Sequence, residues 1–164
     1  MISLAPKSNR RSFLFMYNSI LHFNEFGVKK IEKVIKEFME DKDRNLGDLV
    51  MELEKPIQEL QREIIKETIE AVDEIYRKDE VRKKDYHIER REEQNTILTT
   101  CGEVSYQRTY FRSKKTGTCE YLADKAFGIT SHMRKSEDVS IKIIESAVDM
   151  SYRLSGEKAT ATED

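Results

Sequence analysis

Cysteine is scarce in this chain. Two residues, Cys101 and Cys119, are too few for a disulfide scaffold and form no C-x-x-C pair for zinc or redox chemistry. A reducing, cytoplasmic setting fits them. No apolar run approaches the roughly 18 residues of a membrane span, so no membrane partner is expected. The three histidines, His22, His87 and His132, stand far apart without a companion spacing such as H-E-x-x-H, and read as surface residues. A glycine-rich phosphate loop, a nucleophile elbow and a kinase signature are all missing. The 31 carboxylates lie almost entirely in helical charge runs, whereas catalytic acids come from strand ends and pockets. Neither a catalytic pair nor a metal or cofactor site is expected, and the chain reads as a binding protein rather than an enzyme.

Charge is abundant instead. Charged residues make up 37% of the 164 positions and hydrophobic ones 38%, so the core is small and the shape extended. That length suits one compact domain, or a helical arm with one small domain. Residues 1–15 read as an unstructured leader. Within it Asn9-Arg10-Arg11-Ser12-Phe13-Leu14-Phe15 is similar to a twin-arginine export signal, but no apolar stretch or small-residue cleavage site follows. Translation starting at Met16 is the alternative.

The fold class read from the pattern is α+β, mostly α. Amphipathic helices over 16–94 precede a three-stranded antiparallel β-meander over 95–125 and a helix over 136–164. Val28, Ile31, Val34, Ile35, Phe38 and Met39 recur at helical spacing. Asn45 caps a second, long helix, with Asp48 in its first turn. Its apolar seam is Leu46, Val50, Leu53, Ile57, Leu60, Ile64, Ala71 and Ile75, with Thr68 the polar member. Pro56 predicts a kink there, or a break into two helices. Glu52, Glu59, Glu63, Glu67, Glu70 and Glu74 form an acidic stripe beside the seam, read as a solvated face. Between Arg77 and Arg91 seven basic residues face four acidic ones, and the helix is expected to fray.

Thr96–Thr100 and Val104–Arg112 are β-branched and aromatic runs joined through Gly102, and a turn over Ser113–Gly117 leads into Thr118–Ala123. A turn centred on Lys115 places Cys119 opposite Phe111 and leaves the cysteines roughly 20 Å apart, too far for a disulfide. Tyr106, Arg108, Tyr110 and Arg112 alternate on one face of the central strand, and Lys114 and Lys115 carry the charge into the turn. From Val104 to Thr118 there are four basic residues and no acidic one. Two readings stay open. A two-stranded ribbon fits the DNA major groove, with arginine and lysine on phosphates or guanines and tyrosine hydroxyls on phosphates. Alternatively Val104, Tyr106 and Tyr110 pack with Ile97 and Leu122 onto a helix while the arginine stems snorkel. At the end, Ser136 caps a helix whose buried stripe is Val139, Ile143, Ala147, Met150 and Leu154.

Met16-Tyr17-Asn18-Ser19, Phe26-Gly27-Val28, Glu63–Thr68, Tyr86–Arg91 and Thr99-Thr100-Cys101-Gly102-Glu103-Val104 follow one another along the chain. Arg108-Thr109-Tyr110-Phe111, Tyr121-Leu122-Ala123-Asp124, Phe127-Gly128-Ile129 and Ser151–Ala159 complete the series. In that order and spacing they resemble the amino-terminal region of ISLre-type insertion-sequence transposases. The resemblance covers Met16 to the end. It implies a protein that binds the terminal repeats of a mobile element and acts as a homo-oligomer. It also implies a helix-turn-helix beginning near Ser151, with Arg153 and Lys158 toward DNA, and a metal-dependent nuclease core further on. The chain ends at Asp164, which the resemblance reads as truncation ahead of both the recognition helix and that core. Within this chain the implied function is DNA binding and assembly. The alternative is an interaction module pairing through the Leu46–Ile75 helix without DNA.

Overall fold

A computed structural model describes the backbone of residues 18–160 and the side chains of residues 18–152. The expected leader lies outside the described residues. Among these, the fold is mostly helical, with a three-stranded antiparallel sheet and a C-terminal helix, as the sequence pattern predicts.

Asn18–His22 (α1), a π-helical turn over Phe23–Gly27 and Val28–Glu40 (α2) follow one another directly. Gly27 is buried at the turn because the Phe23 ring lies where a Cβ would stand. The long helix Leu46–Lys78 (α3) starts on the predicted cap. Asn45 Oδ1 accepts from the Gly47 and Asp48 amides at 2.7 and 3.3 Å, and the Asp48 carboxylate takes the Asn45 amide at 2.9 Å. Through Pro56 it remains one helix rather than two. Proline removes a single amide donor, and here its ring is buried against the rest of the chain.

The acidic stripe of α3 is not merely solvated. Glu52 pairs with Arg44 at 2.6 Å, Glu59 with Lys30 and Glu74 with Lys78. Glu67 accepts the Ser19 amide at 3.0 Å. Glu70 accepts the Gln107 amide at 2.9 Å. The helix thus uses its carboxylates to hold the N-terminal helices on one side and the sheet on another.

A short helix, Glu80–Asp85 (α4), turns directly into Tyr86–Thr99 (β1), which pairs with Gly102–Ser113 (β2); Cys119–Tyr121 (β3) completes the order β1-β2-β3. β1 begins well before the expected start at 95. Tyr86 and Ile88 are half-buried, but Glu89 to Glu92 are charged and solvent-exposed, as an edge strand allows, so the apolar alternation is too short to read. Two bulges flank Arg90 in β1, and Glu92 there takes a φ of 57°. Cys119 lies opposite Arg112, and Phe111 opposite Glu120, one residue off the expected register. The turn is centred between Lys115 and Thr116, closed by Ser113 N to Thr118 O at 2.8 Å, with Gly117 at φ 72°. Both cysteines are free.

The core is Ile69, Ile97, Val104, Tyr106 and Ala123, flanked by Ile65, Val72, Ile129 and Met133. Its helical contribution is therefore Ile65, Ile69 and Val72, one position round from the predicted Ile64, Thr68, Ala71 and Ile75, which are half-buried. Because α3 packs on the sheet and on the N-terminal helices together, its covered arc is wider than a single seam. Leu122–Ala126 (α5) follows β3 directly, packs against α3 and β2, and adds Ala123 to the core. Glu137–Thr160 (α6) is anchored at its start by the Leu98 amide on the Arg134 carbonyl and the Ser136 amide on the Leu98 carbonyl, both 2.9 Å. Of its predicted buried stripe only Val139 is buried. Ile143 and Met150 are 50% and 61% exposed, because no described element packs on that face, and the Leu154 side chain lies outside the described residues.

Candidate nucleic-acid interface

The end of the meander is built from α4 and the β2–β3 turn. Asp79 caps α4, its carboxylate accepting the Val81 and Arg82 amides at 3.1 Å each. Arg82 is buried: its Nε donates to the Tyr76 carbonyl at 2.7 Å, a second nitrogen reaches the Arg77 carbonyl, and the guanidinium lies 5.1 Å from the centre of the Phe111 ring. One cation thereby closes the last turn of α3 and ties it to the sheet. With Arg82 turned inward, Lys83 and Lys84 are left on the outside.

The turn meets them. The Lys114 amide donates to the Asp85 carbonyl at 2.8 Å, Lys114 Nζ donates to the Lys83 carbonyl at 2.6 Å, and Lys115 Nζ pairs with Asp85 at 2.8 Å. Four exposed lysines, 83, 84, 114 and 115, thus share one end of the sheet. Arg112, also exposed, adds a fifth cation, its Nε and Nη2 each 3.0 Å from a different oxygen of Glu89. The ion pair holds the Asp85 carboxyl below its usual range and raises Lys115 in turn. The Glu89 fork likewise raises Arg112.

The other predicted contact residues divide. Tyr106 is 1% exposed; its hydroxyl donates to Asp124 at 2.9 Å and accepts from Asn95 at 2.7 Å, so it belongs to the core. Arg108 pairs with the buried Asp124 and lies 3.6 Å over the Tyr121 ring. Tyr110 is half-buried, its ring 4.7 Å from that of Tyr121 and capped on the other side by Arg90 at 4.7 Å. These residues form an alternating stack across the sheet face, and burial pushes Asp124 above the usual carboxylate range. Arg153 and Lys158 lie outside the described side chains. Sequence reasoning named Lys114 and Lys115 but missed Lys83 and Lys84, although the Arg82-Lys83-Lys84 run was visible. Only the fold shows that the run ends beside the turn. Among the described residues no three of His, Cys, Asp and Glu converge as metal ligands, and no helix is long and apolar enough to cross a membrane.

Residues 39–163 match the family UPF0236, described as an uncharacterised protein family. The chain belongs to the UPF0236 family. One relative, a UPF0236 protein of Caldanaerobacter subterraneus subsp. tengcongensis, is 35% identical over 134 residues, 80% of this chain and 29% of its own length. A second from the same organism, whose name joins eleven loci, is 34% identical over 139 residues, 85% of this chain and 28% of its own. A third, whose name joins four loci, is 34% identical over 134 residues, covering 80% and 28%. This chain therefore spans under a third of the length of those UPF0236 relatives. No solved structure matches it.

Proposed function

We propose that this chain is a DNA-binding and assembly region of an insertion-sequence transposase of the ISLre type, acting in the cytoplasm and carrying no catalytic centre of its own. The observation that carries the reading is the gathering of Lys83, Lys84, Lys114 and Lys115 at the turn end of a β-ribbon, beside Arg112. Clustered exposed cations on a ribbon of groove-compatible width are what phosphate recognition requires. The ordered resemblance points the same way. So do the relatives whose names join eleven and four loci of one organism, since an element that moves by copying leaves many copies of its protein. The sheet face above the turn, with Arg108 and Tyr110 stacked on neighbours, supports the ribbon rather than touching DNA.

The test is fluorescence anisotropy with labelled duplex DNA at low salt. Lys114→Glu combined with Lys115→Glu is expected to weaken binding about tenfold or more, because two phosphate contacts become repulsions. Equal affinity in the double variant counts against this site.

A second reading, assembly through the Leu46–Ile75 helix, is favoured by one feature. Leu46, Val50 and Ile57 are 72%, 57% and 41% exposed, so three of the four residues in the first half of the seam are uncovered, Leu53 being half-buried. Sedimentation over micromolar concentrations tests it: a dimer that Val50→Lys with Ile57→Lys disrupts supports pairing there, and a monomer throughout rejects it.

A further inference from the structure

The cations of the basic end are not held alike. Lys115 is held by the Asp85 carboxylate at 2.8 Å, and Arg112 by both Glu89 oxygens at 3.0 Å, the fork geometry in which arginine also grips a phosphate. Lys83 pairs with Glu80, one turn along α4. Lys84 makes no ion pair at contact distance among the described residues, though its charge adds to those that lower Asp85. Both members of the Lys115–Asp85 and Arg112–Glu89 pairs are exposed, so each pair is weak and exchangeable. Asp85 is also fixed in place, because its backbone carbonyl holds the Lys114 amide at 2.8 Å. Its carboxylate therefore stays beside the turn whether or not Lys115 uses it.

We infer that Asp85 and Glu89 occupy these two cations in place of DNA phosphate, as competitors built into the chain that set its affinity for duplex DNA. This rests on the DNA-binding reading above. A phosphate that engages Lys115 or Arg112 displaces a carboxylate already there, so DNA gains only the difference between the two contacts. Such a device keeps the site weak on arbitrary sequence and leaves strong binding to ligands that engage several cations together.

Asp85→Asn and Glu89→Gln, each made singly in the full chain, test the idea by anisotropy with duplex DNA across a salt series. Glu92→Gln is the control: Glu92 is exposed on the same strand as Glu89, loses the same charge, and pairs with neither cation. Each of the first two variants is expected to bind about 1.5-fold to fivefold tighter, the range set by one exposed ion pair, with a salt slope steeper by about one freed cation. The control is expected to change less. If the wild-type chain binds DNA but Asp85→Asn and Glu89→Gln bind no tighter, or if Glu92→Gln tightens binding equally, the inference is overturned while the DNA-binding reading stands. If none of the four proteins binds at low salt, the reading itself fails and takes the inference with it.

Discussion

β3 is only three residues long and pairs with β2 at Tyr110, Phe111 and Arg112, so the amides of Gln107 and Thr109 lie beyond its reach. Helix α3 supplies what the missing strand does not. Glu70 takes the Gln107 amide, and the buried Asp73 takes both the Thr109 amide at 2.9 Å and its hydroxyl at 2.6 Å. Asp73→Ala leaves two buried donors without an acceptor, and urea unfolding is expected to show a loss of about 2–4 kcal/mol. The tyrosines give a second residue-scale test. Tyr86 is pushed up to about 12 by its hydrogen bond to Glu120, Tyr106 to about 12 by burial, and Tyr121 to about 12 by burial and its bond to Glu93. Each folded value lies above the unfolded value of about 10, so the neutral phenol is favoured in the fold. Their contribution is present below pH 10 and is lost as pH rises toward 12. Phenolate absorbance of these three is therefore expected to appear together with loss of the fold in that window, and Tyr106→Phe is expected to flatten the decline.

Among the elements, those with a strong period were legible and those defined by a neighbour were not. The Asn45 cap, the helical stripe and the alternation of β2 each write a local rule into adjacent residues, and the helices and strands they predict are present. The first half of β1 has no such rule: Arg90 to Glu93 are all charged, and the two bulges are fixed by pairing with β2 rather than by sequence. The β2–β3 register slipped by one because the turn was centred on a residue instead of on a bond, a difference decided by Gly117 and the Ser113–Thr118 closure. The core face of α3 was misplaced because periodicity shows that a stripe is apolar, not which of two packed neighbours meets it. The β1–β2 turn carries the element-scale prediction. Gly102 takes a φ of 114°, which side chains rarely adopt, and a Cβ there meets Arg62 Nη1 at 3.2 Å while that nitrogen holds the Cys101 carbonyl at 2.7 Å. Gly102→Ala is expected to cost about 1–3 kcal/mol in chemical denaturation.

At the scale of the whole molecule, the sheet and α3 form one packed body whose two ends differ in character. One end presents lysines on α4 and the β2–β3 turn. The other carries the uncovered apolar residues of the α3 start, with α6 departing from the β1–β2 turn and leaving Ile141, Ile144 and Val148 exposed. Under the proposed function the basic end is the one that would meet nucleic acid, and the exposed apolar residues at the other end would suit a protein partner. The relatives are more than three times as long as their match to this chain. The basic end was half legible, since Lys114 and Lys115 stood out in an acid-free stretch while Lys83 and Lys84 became part of it only through the fold. The most direct measurement of the DNA-binding claim is the affinity of the wild-type chain for duplex DNA of arbitrary sequence as salt is raised. The account predicts binding at low salt that weakens linearly on a log-log plot, with a slope of about two to three for the lysines that Asp85 does not hold. No binding at low salt, or binding indifferent to salt, would contradict it.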